Sequence, residues 1–297
     1  MNNDAFWEKN VLRDDDIIIA STIKSGTTWL QQIVAQIVFK GEFKGKLNNT
    51  SYWVDTLRDY SEADMVANID KQTHRRFFKT HSPANVVLKN IKDSVKYIFI
   101  TRDFRDVVWS FYNHFVNSKY KIVKKKHCDI VLKMKSSKNP YDFWKIIMKN
   151  KHLFNIESYN IIWSYFNTIK SWLEVSNKPN VLILHFNDLK RDLRGSIEKI
   201  SHYLGYTYTN NTNNTNNTNN TNNIIDKIYT KCTFDYMKAH SENCVPNQFK
   251  NTNTFFNKGI NKRWNNTLDE SDLCEYTNLI KTYFPLEVIN WIETGLV

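Results

Sequence analysis

The stretch ASTIKSGTTWLQQIV, residues 20–34, decides how the rest of the chain is read. It follows the apolar run Ile17-Ile18-Ile19, holds one glycine among small hydroxyl residues, and passes into a segment with Leu30, Ile33, Val34 and Ile37 on one helical face. A short continuous apolar run marks a strand covered on both faces, and apolar residues three and four apart mark a helix. A strand that turns through Lys-Ser-Gly-Thr-Thr into a helix presents unbonded amide donors at the helix start, where an anion is stabilised. A nucleoside triphosphate, a nucleic acid backbone and another phosphorylated cofactor all meet that description.

The same grammar returns twice. VKYIFITR, 95–102, precedes a helical pattern from Phe104 to Phe115, and NVLILHF, 180–186, precedes another over 189–204 that ends at Gly205. Apolar strands alternating with helices predict an α/β fold, a central, mainly parallel sheet flanked by helices, as a single domain over residues 1–297. RRFFKTHSP, 75–83, reads as a further strand stopped by Pro83, and 141–175 reads as aromatic-rich helix. Thr209–Asn223 is a Thr-Asn-Asn repeat that has no apolar surface to bury, so it is expected to be a disordered surface insertion. The lysine-rich stretch 119–138 reads as a solvated loop or a lid over the site.

With 297 residues and 41% apolar content the chain can bury a large core, and a formal net charge of +11 favours anionic partners without ranking them. Four cysteines lack disulfide-scaffold density and paired metal-ligand spacing, so reduced thiols are expected. The N-terminus has no basic and then apolar leader, and no stretch approaches the ~18 apolar residues of a membrane span. These features predict a cytoplasmic protein without membrane association.

Residues 20–34 do not form the Gly-x-x-x-x-Gly-Lys-Ser/Thr loop of triphosphate-binding proteins, because Lys24 precedes Gly26 by two places. Its mechanics survive: Gly26 permits the tight turn, the amides of Ser25, Gly26, Thr27 and Thr28 point outward, two threonine hydroxyls add donors, and Lys24 supplies a point charge. Such a stretch is also an ordinary turn and cap, so further residues must carry the reading. Arg102 ends a strand and Ser110 follows two helical turns on, a second anion grip suited to a phosphate. Lys79 and His81, two apart on a strand, face one side, where a histidine can act as general base beside a positive charge. Two anion grips at the carboxyl ends of two strands imply two phosphate-like groups on one ligand.

On these residues the chain resembles the cytosolic sulfotransferase family, which transfers the sulfuryl group of 3'-phosphoadenosine 5'-phosphosulfate (PAPS) to hydroxyls or amines. The family's Thr-Tyr-Pro-Lys-Ser-Gly-Thr-Thr-Trp loop is similar to STIKSGTTW, with Thr22-Ile23 in place of Tyr-Pro. KTHSP resembles Lys-Thr-His-Leu-Pro, and TRDFRDVVWSFYNHF resembles the 3'-phosphate segment. The resemblance implies His81 as base, Lys79 and Lys24 as catalytic charges, and Arg102 and Ser110 on the 3'-phosphate. Trp29 and Phe234 are then the aromatics flanking adenine, and Phe186 stands where the family often has a nucleotide-binding tyrosine. NKGINKRW, 257–264, is similar to Arg-Lys-Gly-x-x-Gly-Asp-Trp in Lys258, Gly259 and Trp264. Asn257 replaces the arginine, and Lys262 or Arg263 is the candidate to compensate. The family's dimer motif is not recognisable in NNTLDESDLCE, which leaves homodimerisation open.

The reaction so implied is an in-line displacement at sulfur that releases adenosine 3',5'-bisphosphate, requires no metal, and uses a small acceptor with a hydroxyl or amine. By the same resemblance, Ser110 holds Lys24 away until the acceptor binds. Tyr52, Trp53, Phe143, Trp144 and 159–166 are candidates to line a flat acceptor pocket. Two alternatives remain beside this one: a catalytically inactive nucleotide-binding relative, and a basic nucleic-acid-binding protein, which leaves the coincidence of Lys24, His81, Arg102 and Ser110 unexplained.

Overall fold

The computed structural model describes residues 6–7, 12–55, 61–89, 92–117, 128–155, 162, 164–207, 218–245 and 255–295. Its centre is a parallel sheet of four strands, β1 Ile17–Ser21, β2 Phe77–Thr80, β3 Lys96–Thr101 and β4 Val181–His185, in the order β2-β1-β3-β4. Ile17 lies opposite both Phe77 and Lys96, and Tyr97 lies opposite Val181. That register brings Ser21, Thr80, Thr101 and His185 to one edge, the carboxyl end of the sheet.

Strand residues alternate between two cores. Ile18, Ala20, Phe78, Tyr97 and Phe99 enter one, while Ile17, Ile19, Phe77, Ile98 and Ile100 enter the other. Both faces are therefore apolar, which is why the strands read as unbroken hydrophobic runs. The helix after β1, α1 (Thr27–Val38), packs Leu30, Ile33, Val34 and Ile37 into the second core. The helix after β3, α2 (Phe104–Asn117), packs Phe104, Val107, Val108 and Phe111 into the first. Helices leaving neighbouring strands toward opposite faces open a crevice between the carboxyl ends of β1 and β3, where ligands of open α/β sheets bind.

Two expectations are corrected. The segment 141–175 is not one helix: it divides into a helix Pro140–Lys149, a 3-10 turn Lys151–Asn155 and a helix Tyr165–Leu173. Asn139 caps the first of these through the Asp142 amide, and Pro140 begins it, so local capping chemistry sets the start that aromatic content alone does not mark. The Thr-Asn-Asn repeat is not wholly a disordered excursion, because Thr218 to Asn223 form the start of the helix Thr218–Cys232. Ile225, Ile228 and Cys232 anchor that helix in the second core, and its backbone extends back into the repeat. Residues 209–217 lie outside the described residues, as do 119–127 of the lysine-rich stretch.

At the amino end of the sheet Arg76 and Asp16 form a two-pronged buried pair, with Nε to Oδ1 at 2.8 Å and Nη2 to Oδ2 at 2.5 Å. Both side chains are almost fully excluded from solvent. The Ile17 amide also donates to Arg76 O, and the Lys96 amide to Asp16 O, so the pair sits where β1 meets β2 and β3. Removing Asp16 takes away the two-pronged, fully buried partner of Arg76 and leaves its guanidinium beside the largely exposed Asp70, 3.3 Å from Nη1. Asp16→Ala is expected to lower unfolding free energy by about 3–5 kcal/mol, measured by chemical denaturation; a loss below about 1 kcal/mol would show that the pair behaves as an exposed one.

Candidate active site

At the carboxyl edge, the turn after β1 is shaped by two residues in the left-handed region, Lys24 at φ 58 and Gly26 at φ 98. Gly26 is the N-cap of α1, and a glycine has no side chain to cap the first-turn amides. The first turn also holds no acidic residue, so the positive end of the helix is left for an external anion. Hydroxyls brace the turn internally: Ser21 Oγ lies 2.6 Å from Thr27 Oγ1, and Thr22 Oγ1 lies 2.5 Å from Ser25 Oγ and 3.0 Å from Thr101 Oγ1. A side chain at Gly26 would meet the Phe186 ring at 2.8 Å. Glycine is required there by both backbone conformation and space.

His81 follows the end of β2. Its Nδ1 is 3.0 Å from Ser21 O, an acceptor only, so Nδ1 carries the proton and Nε2 keeps its lone pair. Burial, with Lys79 beside it, pushes the imidazole down to about 3, which keeps it neutral. Lys79 is pushed down to about 8 by burial, against the pull of Asp55. Lys24 is pushed down to about 7 by burial and by the charges of Lys79 and Arg102. Three cations are thus drawn together with less carboxylate than they need.

Asp55 organises this corner. The segment Tyr52–Val54 lies along the free edge of β2, with Lys79 N donating to Tyr52 O at 2.8 Å and Val54 N to Lys79 O at 3.0 Å. Asp55, next in line and buried, accepts from Trp53 Nε1 at 2.8 Å, Thr80 Oγ1 at 2.6 Å, His81 N at 2.5 Å and Ser82 Oγ at 2.8 Å. The Trp53 ring then meets the His81 ring edge to face at 5.3 Å and carries Lys79 Nζ at 4.6 Å.

Arg102 leaves the end of β3 and is buried. Its guanidinium stacks on Phe186 at 4.2 Å, donates to Asn261 Oδ1, and lies 3.8 Å from Asp106 Oδ2. Its Nε is buried without a hydrogen-bond partner among the described residues. Ser110 is half-buried on α2. Lys24 Nζ lies 3.2 Å from His114 Nδ1, so the expectation that Ser110 holds Lys24 is corrected: the partner is His114, one turn further along α2.

The remaining predicted residues gather at the same edge. Trp29 donates Nε1 to Cys232 O at 2.7 Å and meets Phe186 edge to face at 5.4 Å. Phe234 opens the next short helix and packs so closely on Gly259, at φ 63, that a side chain there would meet its ring at 2.8 Å. Asn257 and Lys258 are exposed on the loop that Gly259 begins to turn. Lys262 N donates to Asp106 Oδ1 at 2.7 Å, and Arg263 is close enough to Arg102 to oppose its charge. Thr28 is half-buried at the mouth of the turn.

A sulfotransferase-domain family model matches residues 14–285. The chain belongs to the sulfotransferase family. A glycolipid sulfotransferase of Mycobacterium bovis is 27% identical over 97% of this chain and 91% of its own length. An amine sulfotransferase of Oryctolagus cuniculus is 29% identical over 88% of this chain and 78% of its own. Among solved structures, mouse sulfotransferase SULT7A1 complexed with PAP superposes with a TM-score of 0.65 at 19% identity, covering 94% of this chain and 86% of that one. Retinol dehydratase in complex with androsterone and the inactive cofactor PAP superposes with 0.64 at 21%, covering 98% and 87%. At these identities the structural likeness speaks for the sulfotransferase fold.

Of the aromatics expected in an acceptor pocket, Phe143, Trp144, Tyr165 and Phe166 are core residues instead, fully buried against Phe104, Phe111 and Phe154. Trp53 lies against Lys79 and His81, and the Tyr165 hydroxyl donates to Arg102 O, while 159–161 and 163 lie outside the described residues. Three contributors were not anticipated: Asp55, His114 and Asn261. His114 carried a signal, being four residues past Ser110 on a helix. Asp55 and Asn261 sit in loops, where spacing is silent. Asp55→Ala orphans four donors and is expected to cost about 2–4 kcal/mol, read as a shift of the denaturation midpoint; a loss under 1 kcal/mol would mean that those donors are satisfied elsewhere.

Proposed function

We propose that this sulfotransferase moves the sulfuryl group of PAPS to a hydroxyl or amine of a small acceptor, leaving adenosine 3',5'-bisphosphate. The observation that carries the reading is the cluster of positive charge at one sheet edge, where desolvation lowers the proton affinity of Lys24, Lys79 and Arg102, and the charges of Lys79 and Arg102 lower Lys24 further. A site that keeps buried cations short of counter-charge is built for a polyanion. Arg102 Nε, 3.8 Å from Asp106 and without a hydrogen bond among the described residues, and the start of α1 are two further donors with the same demand. Phe186 stacks with Arg102 and borders Gly26, so both donor sets lie at one end of the sheet, an arrangement that suits a ligand with two anionic groups.

On this reading the amides of Ser25 to Thr28 and the Thr27 and Thr28 hydroxyls hold the 5'-phosphosulfate. Arg102, Ser110 and the loop of Asn257, Lys258 and Gly259 hold the 3'-phosphate, with Arg263 supplying the charge that Asn257 lacks. Trp29, Phe186 and Phe234 face the nucleoside. The donor contributes an activated sulfuryl group, and the protein's share is electrostatic: Lys24 meets charge on the leaving phosphate oxygen, and Lys79 meets charge on the sulfuryl oxygens. His81, neutral and with Nε2 unprotonated, takes the acceptor proton. The two lysines that suppress its basicity are neutralised once an anion lies between them, so the imidazole becomes a stronger base when the donor is in place.

Calorimetry tests the assignment first: adenosine 3',5'-bisphosphate is expected to bind at least about tenfold tighter than adenosine 5'-phosphate, since each charge-assisted bond to the 3'-phosphate contributes about 1.5–3 kcal/mol. Equal affinities would overturn it. Replacing His81 with alanine leaves the phosphate grips intact. Bisphosphate affinity should stay within a few-fold while PAPS-dependent turnover falls about 10²–10⁴-fold. Turnover within threefold of wild type would remove His81 from the role of base.

A further inference from the structure

The Lys24 side chain has a partner that belongs to neither the turn nor the strand edge. Its Nζ is 3.2 Å from His114 Nδ1 and 4.6 Å over the Phe255 ring, between α2 and the start of the 255–264 segment. Wherever Lys24 is protonated its ammonium only donates, so the His114 nitrogen facing it then offers a lone pair. The charged groups acting on Lys24 are Lys79 on β2, opposite Ile19 of β1, and Arg102, just after the end of β3; His81 is neutral beside them. None of these is an acid, and Asp55, the buried carboxylate of this corner, acts on Lys79. Among the described residues, His114 is therefore the group that accepts from the Lys24 ammonium inside a cationic site.

We propose that His114 is the positioning residue for Lys24, holding its ammonium against α2 so that it must be handed over to the leaving phosphate rather than resting on it. The proposal rests on the sulfotransferase reading for what Lys24 does, but not for where Lys24 is held. Two consequences follow. The lone pair on His114 favours the charged lysine, so losing it makes Lys24 give up its proton at lower pH. The same bond competes with phosphate for one ammonium, so losing it strengthens phosphate binding wherever Lys24 is charged.

The first consequence is read without nucleotide, by pulse acetylation across pH with mass spectrometry of the Lys24 peptide. The half-point of reactivity is expected near 7 in wild type. It should fall by roughly 0.5 to 1 in pH for His114→Leu and stay at the wild-type value for His114→Asn, whose Oδ1 takes the place of Nδ1. The second is read by calorimetry with adenosine 3',5'-bisphosphate at pH 6: His114→Leu should bind roughly three to ten times more tightly, and the gain should vanish on a Lys24→Ala background. Should His114→Leu not fold, His114→Phe, matched to the neighbouring Phe111 and Phe255 rings, gives the same readings. An unmoved half-point, or an affinity change that persists without Lys24, overturns the role of His114. If wild type binds no bisphosphate while the half-point moves as expected, the sulfotransferase reading fails and the hold of His114 on Lys24 stands.

Discussion

The site depends on one constraint, the in-register parallel pairing of β1 with β2 on one side and β3 on the other. Ala20 lies opposite Thr80 and Ser21 opposite Ile100, so the chain leaves all three strands at nearly the same level. The Ser21–Thr27 turn, His81 and Arg102 are each the next residues out. A parallel pair shifted by one residue would turn every strand side chain to the other face and bury the wrong set. Because both faces of each strand are packed, that slip is blocked by two cores rather than one. The Asp16–Arg76 pair pins the opposite end of the same three strands.

Charge is the second organising quantity. Gathering Lys24, Lys79 and Arg102 at a desolvated edge is unfavourable in the free protein, and each of them shows it in a lowered affinity for protons. Carboxylates are present but committed elsewhere. Asp55 spends its oxygens on four donors that hold Trp53 and the 80–82 turn, and Asp106 accepts the Lys262 amide. Burial raises Asp106 to about 6 despite Arg102 nearby, so this acid starts to lose its counter-charge as the pH falls toward 6. The arrangement keeps electrostatic preorganisation in place for an incoming anion.

The first turn of α2 also holds the 257–264 loop. Arg102 bonds Asn261, Asp106 caps Lys262, and Arg105, paired with Asp103 and Glu293, stacks on Trp264 at 4.1 Å. Asn261 also donates to Asn187, beside Phe186 at the end of β4. A loop distant in sequence is thereby fixed to the same helix that carries Ser110 and His114. A departure from the family pattern within it, such as Asn257, has a fixed framework in which Arg263 stands near Arg102.

The alternation of apolar strands and helices was legible in the sequence because it is a local property: Ile17–Ala20, Tyr97–Ile100 and Val181–Leu184 each carry their own burial pattern, and Gly26 and Pro83 their own turn chemistry. The Lys24–Thr28 turn, Lys79, His81 and Arg102 were legible for the same reason, since each is read from its position at the end of a strand. Strand order was not, because which strands pair is decided by how two cores fill. The partition of the aromatics was not either: Phe143, Trp144, Tyr165 and Phe166 look alike in sequence, and only packing against Phe104 makes them core rather than pocket. Asp55 and Asn261 lie in loops without period, and their roles come from contacts 25 to 159 residues away along the chain. That Lys24 meets His114 rather than Ser110 depends on contacts between residues 90 apart along the chain, which exist only once the turn, α2 and the 255–264 segment are assembled.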